Sequence, residues 1–433
     1  MNANLCRACC FFLSLLFLSF SSCQPTSQRS FLHYVSLFSS QGSKSATSSQ
    51  ADGTTPQLPS SPNGLTYTGS PFEFLIGSAI TTVTPTVNGT ITNCVSNPTL
   101  PTGLSLNPLT CAITGTPTVW QSNTNYTITA NNSAGNTTTT IGIAVTSDAS
   151  SWTARTMPSS SNWISVTFGN NVFVAIAGGV GPTTIAATST DGITWTPRTL
   201  PTSNTWNSVT FGNGLFVAVA KGPSNAAASS SDGINWTPRT LPSSDNWVSV
   251  TYGNGKFVTV AAGSIAAAYS TDGFNWTASN PLPSISQWAA IAFGNGIFAT
   301  VASGPSTIAA SSPDGITWTA RTLPTSAGWY SMAFGNGIFV ANASGPSNAS
   351  AYSTNGTSWT SSTLPSIQSW SATGFGNGVF LVVSQSASAA SSLDGFTWTP
   401  RTMPSAINWY GVAYGLSRFI VIALTSNAVA SSP

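Results

Sequence analysis

Apolar and polar side chains alternate along most of this chain in short runs separated by turn residues, and one such pattern recurs at a near-constant interval. A single copy shows its content. Trp206 to Phe211 reads as a half-buried strand, and Asn213-Gly214 marks a tight type I′ hairpin. Leu215 to Ala220 reads as a second strand, Gly222 to Asn225 as a loop, and Ala226 to Ser230 as a third strand. A turn follows, and Ile234 to Arg239 completes a four-stranded unit. The hairpin dipeptide returns at Asn254-Gly255, Asn295-Gly296, Asn336-Gly337 and Asn377-Gly378, with Asn170-Asn171 and Leu416-Ser417 in its place at the two ends.

The turn before the fourth strand has its own recurring sequence. Ser189-Thr190-Asp191-Gly192-Ile193-Thr194-Trp195 is repeated from Ser230, Ser270, Ser312, Ser353 and Ser392, with Asn355 once replacing Asp. Upstream, Asp148-Ala149-Ser150-Ser151-Trp152 keeps the Asp-to-Trp spacing but lacks the Gly. The positions Asp148, Asp191, Asp232, Asp272, Asp314, Asn355 and Asp394 lie 39 to 43 residues apart, a period that marks a repeat fold. An Asp or Asn side chain accepts hydrogen bonds from backbone N–H groups just downstream, and the Gly permits positive φ. A role needed in every unit is structural, because a catalytic residue need not recur.

Two Trp positions also recur. One set closes the turn, from Trp152 to Trp398; the other opens the first strand, at Trp163, Trp206, Trp247, Trp288, Trp329, Trp370 and Trp409. Seven copies predict seven blades around an axis. Repetition at every unit favours packing between blades over stacking on a sugar. Ser151 to Thr156 corresponds to a fourth strand, and Ala428 to Pro433 to a third. The N-terminal strand is therefore expected to complete the last blade and remove a free edge.

This Ser-x-Asp-Gly-x-x-Trp motif resembles the Asp-box, or BNR, repeat of sialidase-like β-propellers. The resemblance implies a propeller over residues 147–433, with the boxes as structural turns away from the ligand site.

Residues 63–146 read as a small all-β sandwich. Tyr126 to Ala130 and Thr139 to Val145 alternate in polarity, between turn signals at Asn88-Gly89, Pro101-Thr102-Gly103 and Gly115-Thr116-Pro117. Leu100 to Leu106, Ile113 to Pro117 and Asn125 to Ala130 resemble an Ig-like family of bacterial surface proteins, whose members act as spacers or adhesion modules. Cys94 and Cys111 are expected to be oxidised in an exported protein. Glu73, the one Glu of the chain, stands between Phe72 and Phe74 and is expected to face solvent. The expected fold class is thus all-β: a seven-bladed propeller closed by its N-terminal strand, preceded by an Ig-like sandwich.

Residues 1–22 have the layout of a signal peptide, with Arg7, an apolar run from Phe11 to Phe20, and small residues before Cys23. Ser21-Ser22-Cys23 resembles a bacterial lipoprotein box, which implies lipidation of Cys23 and a place on the cell surface, at the outer membrane. Phe20 stands where the usual box has Leu, and plain secretion is the alternative. Residues 23–62, rich in Ser, Gln, Thr and Gly, read as a flexible tether, and they carry the chain's one His, His33.

Charge narrows the function. Only 5% of the 433 residues are charged and the net charge is +2, with no basic cluster, so nucleic acid is not an expected partner. Glycoside hydrolysis usually needs two placed carboxylates, and sialidases use a Tyr with a Glu and an arginine triad. The repeats contain no Glu. Arg155, Arg198, Arg239, Arg321 and Arg401 share one position after the turn Trp, so they do not form a converging triad. No Ser-His-Asp set and no metal constellation is present, and no cofactor is implied.

The reading that follows is a non-catalytic, monomeric binding or adhesion module for a glycan or an extracellular protein, attached to the membrane through its lipid alone. A sialidase-like glycoside hydrolase and a structural or assembly-factor propeller are the alternatives. Variable loops on a rigid scaffold are where ligands bind. The face opposite the hairpins offers Lys221, Asn225, Asp245 and Asn348 as candidates.

Overall fold

The computed structural model describes residues 59–119, 121–146 and 149–432. The signal segment, most of the tether with Cys23 and His33, and Asp148 lie outside the described residues. Among the described residues every regular element is a β-strand.

The first strands built are those of the Ig-like unit. Phe72–Leu75, Gly135–Thr146, Gln121–Asn132 and Asn93–Asn97 form one four-stranded sheet in that order. Asn63–Thr66 pairs with Thr86–Asn88, and Leu104–Leu106 with Ile113–Gly115. The inward residues of the long hairpin, among them Tyr126, Ile128, Ala130, Ile141 and Ile143, bury themselves against Leu65, Ile113 and the cysteines. Cys94 and Cys111 are bonded, their Cα atoms 5.4 Å apart, within this core. The Tyr67 hydroxyl donates to the Cys111 carbonyl at 2.5 Å, and burial raises its pKa. Glu73 is exposed between half-buried Phe72 and Phe74.

The remaining strands form a β-propeller. In the second repeat Trp206–Gly212, Leu215–Ala220, Ser224–Ser230 and Thr237–Asp245 lie side by side, all antiparallel. Both residues of the hairpin turn, Asn213 and Gly214, have positive φ (48° and 74°), as a type I′ turn requires. Leu416 and Ser417 are held in the same conformation, at 49° and 57°.

Three features differ from expectation. The third strand starts at Ser224, inside the expected loop, and the fourth runs over Thr237–Asp245 rather than from Ile234 to Arg239. The reason for the second is local. Asp232 Oδ1 accepts from the backbone N–H of Ile234 and Asn235, both at 2.8 Å, which ties these residues into the turn. The other difference concerns the third and fourth repeats, which share one eight-stranded sheet because Lys256–Ser264 pairs with Ser286–Gly294. Trp276 and Trp288 stand one residue further apart than the other Trp pairs, and Asn280-Pro281 lies between them. The fourth strand of the third repeat is cut to Thr277–Ala278, and its second strand runs on to Ser264, where it pairs with Ser286.

The first strands of successive repeats pack side by side around the axis, and Trp409–Gly415 of the seventh lies against Trp163–Gly169 of the first. Thr153–Ser161 supplies the fourth strand of the last sheet, beside Ser426–Ser432. Ser431 pairs with Thr153 as Ser229 pairs with Thr237 in the second repeat, so the register is that of a continuous repeat. Ala149 takes the left-handed conformation (φ 54°) that Gly192 and Gly233 take in their turns. Trp152 Nε1 donates to the Ala149 carbonyl at 3.0 Å, as Trp236 Nε1 does to that of Gly233.

Packing between repeats is repetitive too. The second-strand phenylalanines Phe173, Phe216, Phe257 and Phe298 are fully buried, as are the seven first-strand tryptophans, at 0–1% exposure.

Candidate functional site

The strand order gives the propeller two faces. Hairpins and Ser-x-Asp-Gly turns share one; the loops from second to third strand and the links from fourth to first strand share the other.

On the hairpin face each turn is a closed hydrogen-bonded unit. Ser189 Oγ donates to Asp191 Oδ1 at 2.8 Å and accepts the Gly192 N–H at 2.8 Å. Asp191 Oδ1 also accepts from the N–H groups of Ile193 and Thr194. Partial burial pushes the Asp191 carboxyl up, but the combined hydrogen bonds from Ile193, Thr194 and Ser189 outweigh it and lower the pKa to about 2. Asp232, Asp272, Asp314 and Asp394 are lowered in the same way, and Asn355 makes the same bonds without a charge. A carboxylate whose bonds are taken up by its own turn is a poor acid or base. The repeated arginines are engaged as well: Nε of Arg198, Arg239, Arg321 and Arg401 donates to a third-strand hydroxyl at 2.8–3.0 Å, and that of Arg155 to Ser431 Oγ at 3.3 Å.

On the opposite face a cavity of about 480 Å³ opens at the mouth of the ring. Its wall is built from the residues that follow each first-strand Trp. The first of these is Ile164, Asn207, Val248, Ala289, Tyr330, Ser371 or Tyr410, depending on the repeat, and all seven line the cavity. The Trp that opens each strand and the Phe or Tyr five residues later recur in every repeat, because they fill the space between sheets. The residue after Trp faces the axis instead, where packing does not dictate its type.

Lys221 is the one charged side chain among the lining residues. Its backbone N–H donates to the Thr205 carbonyl at 2.8 Å, which fixes the loop that carries it. Tyr330 and Tyr410 reach toward each other across the small, buried Ser371, with hydroxyls hydrogen-bonded and rings edge to face at 6.1 Å. Burial, and then the neighbouring Tyr330, raise the Tyr410 pKa, so the Tyr410 hydroxyl keeps its proton. Asn207 Nδ2 donates to the Val248 carbonyl at 2.6 Å, leaving its carbonyl oxygen available.

Of the four binding candidates read from the sequence, three share the second repeat, where Ser224, beside Asn225, pairs with Asp245, and Asn348 stands apart in the fifth. Lys221 lines the ring-mouth cavity. Asn225 is exposed on the third strand of its repeat. Asp245 accepts from Ser243 Oγ at 2.5 Å at the end of the fourth strand. Asn348 lines a different, open cleft of about 670 Å³, with Pro346, Ser344 and Thr325. The residues that sequence reasoning missed are Tyr330 and Tyr410. The signal was there: within the repeat alignment, the position after the first-strand Trp varies from repeat to repeat while the Trp itself does not. The first-strand tryptophans are buried to 0–1% exposure, and of them Trp288 lines the cavity. Six of the seven donate Nε1 to a carbonyl four residues earlier, as Trp206 does to Thr202. Among the described residues no group of three or more His, Cys, Asp or Glu could hold a metal ion.

Comparison with known proteins agrees with this architecture. Residues 37–147 match the He_PIG family of Ig domains, and residues 203–334 match the DUF6242 beta propeller domain. A search of curated proteins gave no match. Among solved structures, virginiamycin B lyase from Staphylococcus aureus superposes with a TM-score of 0.57 at 13% identity, over 65% of this chain and 98% of that one. YCF48 from Cyanidioschyzon merolae superposes with a TM-score of 0.51 at 15% identity, over 65% and 98%. A second YCF48 structure, bound to D1 peptide, gives 0.51 at 18% identity over 65% and 94%. At such identities the likeness is one of fold, and the fold this chain shares with all three is the β-propeller.

Proposed function

We propose that the propeller is a non-catalytic binding module that takes its ligand at the mouth of the ring. The observation that carries this reading is the cavity of about 480 Å³, uncharged in its lining except for Lys221, a volume ordinary for a ligand site. Neither Asp nor Glu is among its lining residues, whereas hydrolysis of a glycoside would call on placed carboxylates or a Tyr with its base. In this reading the Ser-x-Asp-Gly turns are Asp-boxes, and they serve only to hold the blades.

The module sits on an exported, monomeric chain that a lipid on Cys23 holds at the cell surface, with the tether and the Ig-like unit as spacers. The support is the basic, apolar and small-residue order that precedes Cys23. Cys23→Ala should move the protein from the detergent phase to the soluble fraction; unchanged partitioning would remove the anchor.

A protein ligand, as for an assembly-factor propeller, is the second reading. It is favoured by Val180 on a loop, Ile285 on a link and Ile367 at the end of a fourth strand, which are 77%, 75% and 64% exposed. That a YCF48 structure holds a D1 peptide is in keeping with it.

The test is an array of glycans and extracellular proteins, probed with the full chain and with Ala289→Trp, which fills the mouth. A ligand retained by the native chain and lost by the variant supports the reading. Binding unaffected by Ala289→Trp places the site elsewhere, and turnover of aryl glycosides would favour a hydrolase.

A further inference from the structure

The fifth repeat differs from the others along one line. Ser331, Asn342, Ser350 and Ser362 stand directly opposite one another on its four successive strands. Directly opposed residues share a face of the sheet, so these four form a polar row from the channel to the outer edge. The same row in the second repeat is Ser208, Val219, Ala227 and Arg239, and in the sixth Ala372, Val383, Ala389 and Arg401. Every other repeat has Val or Ile where the fifth has Asn342. The sixth repeat adds Thr373, at a position that is otherwise Val, Ile or Met.

The row is incompletely satisfied within the protein. Asn342 is 1% exposed; its Nδ2 donates to Thr373 Oγ1 at 2.9 Å, and its Oδ1 has no partner. Ser350 Oγ and Ser362 Oγ are likewise buried and unpaired. Unpaired buried polar groups cost stability, and the other repeats show that the fold accepts Val or Ile for Asn342, Ala or Val for Ser350 and, in five of the six, Arg for Ser362, the third repeat having Ser279. Ser331, half-buried at one end of the row, lines the ring-mouth cavity together with Thr373, while Ser362, half-buried at the other end, lines the cleft that holds Asn348. Ser331 also bonds unlike its counterparts. Ser165, Ser208 and Ser249 accept a backbone N–H of the next repeat at 3.1–3.2 Å, whereas Ser331 Oγ meets Thr373 Oγ1 at 2.7 Å.

We propose that this row is the recognition element of the cavity for a polyhydroxylated ligand, a sugar ring. The inference rests on the ring-mouth binding reading above. Thr373 Oγ1 takes the Asn342 N–H and gives its own proton to Ser331 Oγ, so the Ser331 proton points into the cavity toward an acceptor oxygen of the sugar. Ordered water satisfies Asn342 Oδ1, Ser350 and Ser362 behind it. Asn207 across the cavity supplies a carbonyl acceptor for a sugar hydroxyl, and Tyr330 an aromatic surface for the apolar side of the ring.

The experiment titrates the full chain with the methyl glycosides of glucose, galactose, mannose and N-acetylglucosamine, by calorimetry and ligand-observed NMR. Two variants carry residues found at the same position in other repeats: Asn342→Val and Ser331→Ala. At least one glycoside should bind, and both variants should weaken it tenfold or more. The melting temperature should stay unchanged in Ser331→Ala and stay unchanged or rise in Asn342→Val. Equal binding in native protein and Ser331→Ala overturns the proposal, and that variant decides should Asn342→Val fail to fold. Absence of glycoside binding to the native chain also overturns it. In that event, a protein captured on the array and lost in Ala289→Trp leaves the ring-mouth site standing, whereas an array with no ligand removes both.

Discussion

The ring of Phe168 fills the space into which a Cβ on Gly415 would project, with Cγ 2.2 Å from that point. The two residues belong to the first and the last repeat. The same relation joins Gly169 to Phe211, Gly253 to Phe293 and Gly335 to Phe375, so one contact type runs around the ring and returns to its start. Gly415→Ala should therefore destabilise the whole propeller by about 1–3 kcal/mol, the usual cost of overpacking. Gly181→Ala is the control, since nothing stands within 4 Å of its Cβ and its change should stay within about 0.5 kcal/mol. Thermal melts of both would decide, and equal melting temperatures would mean the seam yields.

Ring closure makes the N-terminal strand structural. Removing residues 1–161 deletes Thr153–Ser161 and bares one side of Ser426–Ser432. That protein should melt lower or aggregate, while a chain lacking only residues 1–146 should not. Coincident melts of the two would contradict the closure.

The turn carboxylates give the acid limb of stability a definite sign. Asp191 titrates near 2 in the folded protein and at about 3.9 when unfolded. A depressed carboxyl contributes stability above the unfolded value, and the contribution is lost as pH falls toward the folded one. The melting temperature should thus drop between about pH 4 and pH 2. In Asp191→Asn/Asp232→Asn the drop should be smaller, as Asn355 shows that a neutral side chain can build the turn. An identical drop in the variant would place the acid sensitivity elsewhere.

Trp206 is completely buried, packed among Leu200, Val209 and Ala218. Trp206→Ala should cost about 3–5 kcal/mol by leaving a cavity between sheets. Denaturant titration measures this directly. A loss under 1 kcal/mol would show that its neighbours collapse to fill the space.

The disulfide acts on a separate core. Cys94→Ser/Cys111→Ser opens a loop of 17 residues and should cost about 3 kcal/mol in the Ig-like unit. The propeller transition should stay in place, and two-probe melting would show whether it does.

Much of this architecture was legible in the chain. Asn213-Gly214 announces its hairpin because few dipeptides accept two positive φ values. The first-strand Trp and the Ser-x-Asp-Gly turn repeat because packing and turn chemistry demand them in every unit. The site was harder to read for the converse reason. Tyr330, Tyr410 and Asn342 occupy positions where the repeats disagree, and in sequence such disagreement looks like drift. Only the strand register brings Ser331, Asn342, Ser350 and Ser362 into one row, since they are spread over three turns. The shared sheet of the third and fourth repeats was also hidden, because one extra residue beside Asn280-Pro281 does not reveal which strand it frees.

Arg155 and Ser431 hydrogen-bond across 276 residues of chain. At a synthesis rate of about 5–20 residues per second, the N-terminal strand waits roughly 15–55 s for its partner to leave the ribosome. Until then Phe168 has no Gly415 to cover, and the first and last sheets each keep a free side. A nascent or truncated chain of this protein therefore presents two sticky ends, which makes the arrival of Ser426–Ser432 the event that renders it safe from self-association.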